Sequence, residues 1–382
     1  MLKHTLQCAG VAVALSFSAI AGSANAADLK IGLLLSQTGP LATYGTSMKS
    51  AAEYAVKQVN DAGGINGNKV VLALEDDASK PSTFLNGLNR LVAQEKVLAL
   101  VGPITSGFFL AGVPIVKQHG VLMISPTATA PNLTKDTDKA FRNNPSEDVN
   151  IPVMLKYIKK TMPTIGSIAV IYDNKESADK IIGGLYESLA PSVGWKLQSV
   201  TTFLSGQLNY SDVVAKALRD KPNVVAVAAH AEDAANVARE LRRQGYNGAI
   251  LGGTSTVSQD YIKIAGAAAN GTYAVVPYYY GAQTPQNLEF LEGYKKFSGH
   301  TTVDPWEAST YESVRMILHA MKQAKVTGDP AKIQPERAAV SKDLALTSDF
   351  PGLIGNISFD KERVAVKPSV IIQVKDGAWK AD

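Results

Sequence analysis

Cysteine is almost missing from the 382-residue chain, and the single example, Cys8, lies among the first ten residues. No internal disulfide can form, and a thiolate nucleophile in the body of the protein is excluded. A large excess of one charge is missing as well. The formal net charge is +4, and the lysines and arginines are interspersed with acids, as in residues 216–220. A nucleic-acid groove gathers basic residues on one face, so nucleic acid is not an expected partner. No run beyond the N-terminus approaches the roughly 20 apolar residues of a spanning helix, and a membrane-inserted chain is not expected.

Catalytic signatures are equally scarce. There is no HExxH, no Walker A loop, no GxSxG elbow and no GxGxxG after the first strand. Ser177-Ala178-Asp179-Lys180 has the SxxK spacing of a serine nucleophile with its lysine, but the companion KTG is missing. After His4, the histidines His119, His230, His300 and His319 are too scattered for metal-ligand spacing, so no metal or cofactor is expected. Asp76-Asp77 ends a strand, where paired carboxylates usually cap a turn or helix.

What is present begins with a tripartite start: basic Lys3 and His4, an apolar stretch over 9–21, and Ala24-Asn25-Ala26. That layout is a secretory signal peptide over 1–26, with export to the periplasm as its consequence. Cys8 precedes the apolar run instead of following it, which argues against a lipid anchor. Cleavage leaves roughly 355 residues, more than one core usually organises, so two domains are expected.

Along the rest of the chain, β-type runs alternate with helical apolar spacing. Strands are expected at 30–35, 70–74, 97–101 and 121–124, with helices around 48–59 and 84–92. A mostly polar stretch over 134–150 interrupts the pattern. It resumes with helices at 151–162, 180–189, 213–218 and 234–244 between strands at 168–172, 197–203, 224–228 and 250–251. A strand at 273–278, helices around 288–297 and 306–324, and strands at 357–359 and 370–374 close the chain. Two consecutive βα sets predict an α/β protein with two doubly wound, Rossmann-like lobes joined by a hinge, and a ligand between them. The expected division is 27–145 with 280–350 for one lobe and 146–279 with 351–382 for the other.

Ligands in such sheets sit beyond the carboxyl ends of strands. Those positions read Ser36-Gln37-Thr38-Gly39-Pro40, Pro103-Ile104-Thr105-Ser106-Gly107, Ser125-Pro126-Thr127-Ala128-Thr129, Asp173-Asn174-Lys175-Glu176-Ser177, Ala229-His230-Ala231-Glu232 and Gly253-Thr254-Ser255. Hydroxyls and unpaired amides at helix starts are good receptors for a carboxylate, although the same residues also serve as plain helix caps.

Gly39-Pro40-Leu41-Ala42-Thr43-Tyr44-Gly45, Val59-Asn60-Asp61-Ala62-Gly63-Gly64-Ile65-Asn66-Gly67, Glu75-Asp76-Asp77-Ala78 and Ile124-Ser125-Pro126-Thr127-Ala128-Thr129 together resemble the leucine/isoleucine/valine-binding proteins of bacterial importers. The resemblance spans nearly the whole chain after residue 26. It implies the type I periplasmic-binding fold, no enzymatic activity, and a monomer that partners the permease subunits of an ABC transporter. By motif, Ser106 matches the serine that binds the ligand carboxylate, Thr127 a position that donates its backbone amide, Thr129 the threonine beside it, and Tyr44 an aromatic covering the ligand.

The opposite lobe departs from the family pattern. Thr254 stands where amino-acid binders place a glutamate for the ligand ammonium, and Ser177 and His230 replace two tyrosines. A buried ammonium without a counter-charge is costly. The expectation is therefore a small carboxylate without an amine, an aromatic acid of benzoate or phenylpropanoid type. Phe108, Phe109, Tyr278, Tyr279 and Tyr280 would supply flat apolar surface, and His230 a hydrogen bond. The alternative is a branched-chain or other amino acid, with Glu176 or Glu232 providing the charge. A type I ligand-sensor module and an enzyme acting through Ser177 and Lys180 are the rivals from other classes.

Overall fold

The computed structural model describes residues 28–382, so the expected signal segment lies outside the described residues. In the first sheet, β1 (Leu29–Leu35), β2 (Val70–Asp76), β3 (Ala99–Val101), β4 (Leu122–Ser125) and β5 (Ala140–Arg142) run in the order β2-β1-β3-β4-β5, all parallel. The second sheet repeats this order. Its parallel part is β7 (Lys196–Phe203), β6 (Ser167–Asp173), β8 (Val224–Ala228), β9 (Ala249–Gly252) and β10 (Thr272–Val276). Three short strands, β11 (Phe350–Pro351), β12 (Asn356–Phe359) and β13 (Ala365–Val366), come next in the chain. Antiparallel β14 (Val370–Lys375) and β15 (Ala378–Ala381) then extend the second sheet beyond β10.

Strands buried on both faces must be apolar throughout, and β1 (LKIGLLL) and β8 (VVAVA) are nearly or wholly so. The covering helices are α1 (Ala42–Asp61), α2 (Pro81–Asn89), α3 (Ser106–His119), α4 (Glu147–Thr161), α5 (Ser177–Leu189), α6 (Ser211–Leu218), α7 (Ala231–Arg243), α8 (Gln259–Ala265), α9 (Pro285–Ser298), α10 (Pro305–Gln323) and α11 (Ile333–Ala345). None of the described helices is long and apolar enough to cross a membrane.

Three departures from the sequence expectations have physical reasons. β5 falls inside the stretch read as a polar pause: only Ala140, Phe141 and Arg142 form it, yet all three are buried. α3 has no counterpart among the expected helices, because Pro114, Gly107 and Gly112 mask its helical pattern. Residues up to Val366, expected with the second lobe from 351 onward, lie against the first. Phe359 packs edge-on to Phe141 with ring centroids 5.4 Å apart, and the Arg142 amide donates to the Arg363 carbonyl at 3.1 Å.

The chain passes between the sheets three times, around residues 143–146, 277–284 and 367–369. These passages converge on Glu312 of α10. Its carboxylate accepts from the Leu353 amide at 2.8 Å and from the Asn143 side chain at 3.5 Å, and it pairs with Lys367, each side chain only 1% exposed. Thr284 in turn donates to the Leu353 carbonyl.

Lys367→Met leaves a buried charge uncompensated and should lower stability to urea by about 3–5 kcal/mol. Adding Glu312→Gln removes that charge while keeping an acceptor for Leu353, and should recover part of the loss. A double variant no more stable than the single would show that the pair's charges are not what matters there.

Candidate functional site

Both sheets reverse direction beside their first strand, between β1 and β3 and between β6 and β8, and at such points the loops diverge to leave a crevice. The two crevices face each other. The inner cavity between them, about 50 Å³, is lined by residues that follow six of the strands, together with Pro305 and Trp306 at the start of α10 and Asn144 from the first passage between lobes. A larger cavity of about 540 Å³ continues outward past Tyr44, Thr105, Glu176 and His230.

On the first lobe, Thr105 caps α3 by accepting from the Phe108 amide at 3.3 Å. Ser106, the first residue of that helix, accepts from the Ala130 amide at 3.3 Å, which leaves its hydroxyl hydrogen able to donate into the cavity. Thr127 is more engaged than expected: its hydroxyl donates to the Ile104 carbonyl at 2.6 Å and its amide to Ser125 Oγ at 3.3 Å. The Thr127 amide is therefore not a free donor. Thr129 takes that place, since among the described residues its amide and hydroxyl engage nothing in the protein.

Tyr44 belongs to the first turn of α1. A Cβ at Gly45 would stand 1.9 Å from the Ser36 carbonyl oxygen, so only glycine lets this turn press onto the loop and carry Tyr44 over the cleft. The Tyr44 hydroxyl donates to the Ser255 carbonyl at 3.2 Å and accepts from the Ala231 amide at 2.9 Å, both on the opposite lobe. Its ring meets Trp306 at 4.7 Å and His230 at 5.6 Å. Burial pushes the phenol well above its ordinary range, so it stays neutral.

The second lobe contributes Glu176 and Ala178 at the start of α5, His230 at the start of α7, and Thr254 and Ser255 in the turn after β9. Behind this wall sit two acids. Glu147 accepts from the Thr254 amide at 3.1 Å, and burial lifts its carboxyl to about 7. Asp179 accepts from the Ser255 hydroxyl at 3.0 Å and is lifted by burial to about 6. Thr254 thus does stand in the wall, and Glu176, the alternative source of charge, stands there with it. Another carboxylate lies one hydrogen bond behind Thr254.

Of the residues expected at the site, Ser106, Thr127, Thr129, Tyr44, His230 and Thr254 meet around the inner cavity. Ser177 and Phe108 line only the outer cavity, where Phe108 is stacked on Phe84 at 5.2 Å. Tyr280 lies elsewhere, donating to the Trp379 carbonyl at 3.3 Å beside Tyr279. Tyr278 and Phe109 are core residues, and the Tyr278 hydroxyl is held by Asn287. Glu232 reaches only the outer cavity. Ser177 and Lys180 are both exposed, and among the described residues no hydrogen bond joins them. Asp76 and Asp77 cap turns: Asp76 accepts from the amides of Gln37 and Ala78, both at 2.8 Å, and Asp77 from the Ser79 amide, also at 2.8 Å. Sequence reasoning missed Trp306, whose signal was the Asp304-Pro305 helix start just before it, and Glu147 and Asp179, which resemble ordinary first-turn acids.

A sequence profile described as periplasmic binding protein matches residues 28–378. A Leu/Ile/Val-binding protein homolog of Brucella melitensis is 28% identical over 357 residues, covering 93% of this chain and 94% of that protein. The isoleucine complex of the branched-chain amino acid transporter substrate-binding protein LivJ from Streptococcus pneumoniae superposes with a TM-score of 0.84 at 26% identity, covering 93% and 98% of the two chains. A solute-binding protein of an R. palustris ABC transporter in complex with benzoate superposes with a TM-score of 0.81 at 19% identity, covering 93% and 95%, a likeness of fold alone. The chain belongs to the periplasmic binding protein family.

Proposed function

We infer that this protein is the periplasmic solute-binding component of an ABC importer of the branched-chain amino-acid type, and that its ligand is an α-amino acid with an apolar side chain. One observation carries the reading: the inner cavity is bipolar. Ser106 and Thr129 offer hydroxyl and amide donors on the first lobe, whereas among the described residues the only formally charged side chain in the lining is the acid Glu176. Donors at a helix start suit a carboxylate, and an acidic wall opposite suits an ammonium. The two ends of a zwitterion match this arrangement.

An amine-free aromatic acid matches it less well. Its ring would point an uncharged edge at Glu176 and desolvate that carboxylate without any cation in return, with the buried acids Glu147 and Asp179 behind it. Tyr44 and Trp306 favour flat ligands to some degree, which keeps a benzoate-type acid as the second reading. Ile104, Ala128, Ala178, Pro305 and Trp306 supply the apolar surface that an aliphatic side chain would cover.

In this reading the first lobe, 28–145 with 280–366, takes the carboxylate, and the second, 146–279 with 367–382, closes over the ammonium. The ligand is released unchanged to the permease, so no step of covalent chemistry is required.

A thermal-shift panel ranks candidate ligands wherever on the protein they bind, since a ligand at a hundredfold excess over Kd stabilises the native state by about 2.7 kcal/mol. Leucine, isoleucine and valine should raise Tm, and benzoate and 4-methylpentanoate should do so weakly. A larger shift with benzoate than with any amino acid would favour the aromatic reading. Ser106→Ala should weaken binding of the best ligand by about 1.5–3 kcal/mol, the scale of a hydrogen bond to a charged group, while the free protein stays folded with a somewhat lower Tm, because the Ala130 amide loses its acceptor. Unaltered affinity on calorimetric titration would mean that the carboxylate binds elsewhere.

A further inference from the structure

Asp179 is completely buried, and its second carboxylate oxygen, Oδ2, has no hydrogen-bond partner in the protein. Asp77 and Asp173 also keep an unpartnered buried oxygen, but of the three only Asp179 is bonded to a side chain of the inner cavity wall. Two more polar atoms around the same cavity are also buried and unpartnered: Oδ1 of Asn144 and Nδ1 of His230, both on lining residues. All three can accept a hydrogen bond, the histidine in one tautomer. A primary ammonium carries three N–H donors and one positive charge.

We propose that Asp179 is the specificity-determining counter-charge for the ligand ammonium, acting through the Ser255 hydroxyl in the cavity wall, with Asn144 and His230 as acceptors. This rests on the amino-acid reading above. The Ser255 hydroxyl has Asp179 as its nearer acceptor at 3.0 Å and the Ala229 carbonyl as its farther one at 3.3 Å, and it keeps a lone pair for the ligand, so the carboxylate's charge reaches the cavity through one oriented group. Glu176 could neutralise an ammonium too, but as a residue of both cavities it has access to water and binds a cation less selectively.

Asp179 lies in the first turn of α5, where an acid also favours the helix dipole. That bland role separates from the proposed one through pH. Asp179 is faced by Asp173 at the end of β6, Glu176 at the start of its own helix, Glu147 from α4, Tyr44 from α1 and His230 from α7. Glu176 and Asp173 oppose its ionisation, while His230 and the Ser255 hydrogen bond favour it. With burial, this lifts the carboxyl to about 6. An ammonium pairs with the ionised form alone, so affinity for an amino acid is full above that value and falls as pH drops through it.

Calorimetric titration at pH 5 to 8 tests this with leucine and with 4-methylpentanoate, which has the same carbon skeleton without the amine. The wild type should bind leucine with a loss of affinity below pH of about 6. Asp179→Asn keeps an acceptor for Ser255 and should weaken leucine by about tenfold or more and remove that step, while changing 4-methylpentanoate little. Leucine affinity and pH profile unchanged by the substitution would overturn the proposal and leave the amino-acid reading standing. A wild type that prefers 4-methylpentanoate would overturn both. Should Asp179→Asn fail to fold, Ser255→Ala carries the test: it cuts the hydroxyl link, and unchanged discrimination between the two ligands would sink the idea equally.

Discussion

A cleft between two separately folded lobes has a defined shape only if the lobes hold a defined relation, and here that relation runs through one buried carboxylate. Glu312 gathers Asn143 from the first passage, Lys367 from the third and the Leu353 amide, whose carbonyl holds Thr284 at the end of the second. A buried ion pair adds little net stability compared with an apolar contact of the same size. What it supplies is direction, because Oε1 of Glu312 takes the Leu353 amide and Oε2 takes Asn143 and Lys367, each donor coming from a different segment. The three passages can bend together about this point, but they cannot slide past one another without stranding a charge.

From that fixed hinge outward, the rest of the site follows from sheet topology. Both sheets have the same strand order around their first strand, and each places its switch point toward the other lobe. This much was legible in the sequence, since apolar runs such as Leu29–Leu35 and Val224–Ala228 alternate with helical spacing, and the polar clusters sit where the strands stop. Ser106, Thr127, Thr129, His230 and Thr254 fall in those clusters, whereas Tyr44 was singled out by the family resemblance alone.

What the sequence left illegible depended on the third dimension. Tyr280 follows a strand end as His230 does, yet it turns to the Trp379 carbonyl, because β14 and β15 are added on that side of the sheet. Nothing in the local pattern announces that neighbour. Trp306 reaches the cavity from a helix that belongs to the first lobe only because α10 packs on α1. Glu147 and Asp179 are acids in first helical turns, a position where acids are common on surfaces. Only the closure of the second-lobe wall over them makes them buried charges.

Closure itself has a cost that is visible in the same residues. The inner cavity, about 50 Å³ against about 540 Å³ for the outer one, lies behind Tyr44, where the two lobes touch. Entry requires Tyr44 to leave the Ser255 carbonyl and the Ala231 amide, two hydrogen bonds that span the lobes. Those bonds stabilise the closed arrangement by contacts the protein makes with itself. A ligand that wedges the lobes apart must replace them, and only its differential affinity for the reclosed form shifts the equilibrium. A bipolar ligand can do this because it engages both sides at once: its carboxylate meets Ser106 and Thr129 on one lobe, and its cation the acids behind Thr254 and Ser255 on the other. A carboxylate alone would bind the first lobe equally well whether the cleft is open or shut, and would therefore give the importer no closed form to recognise.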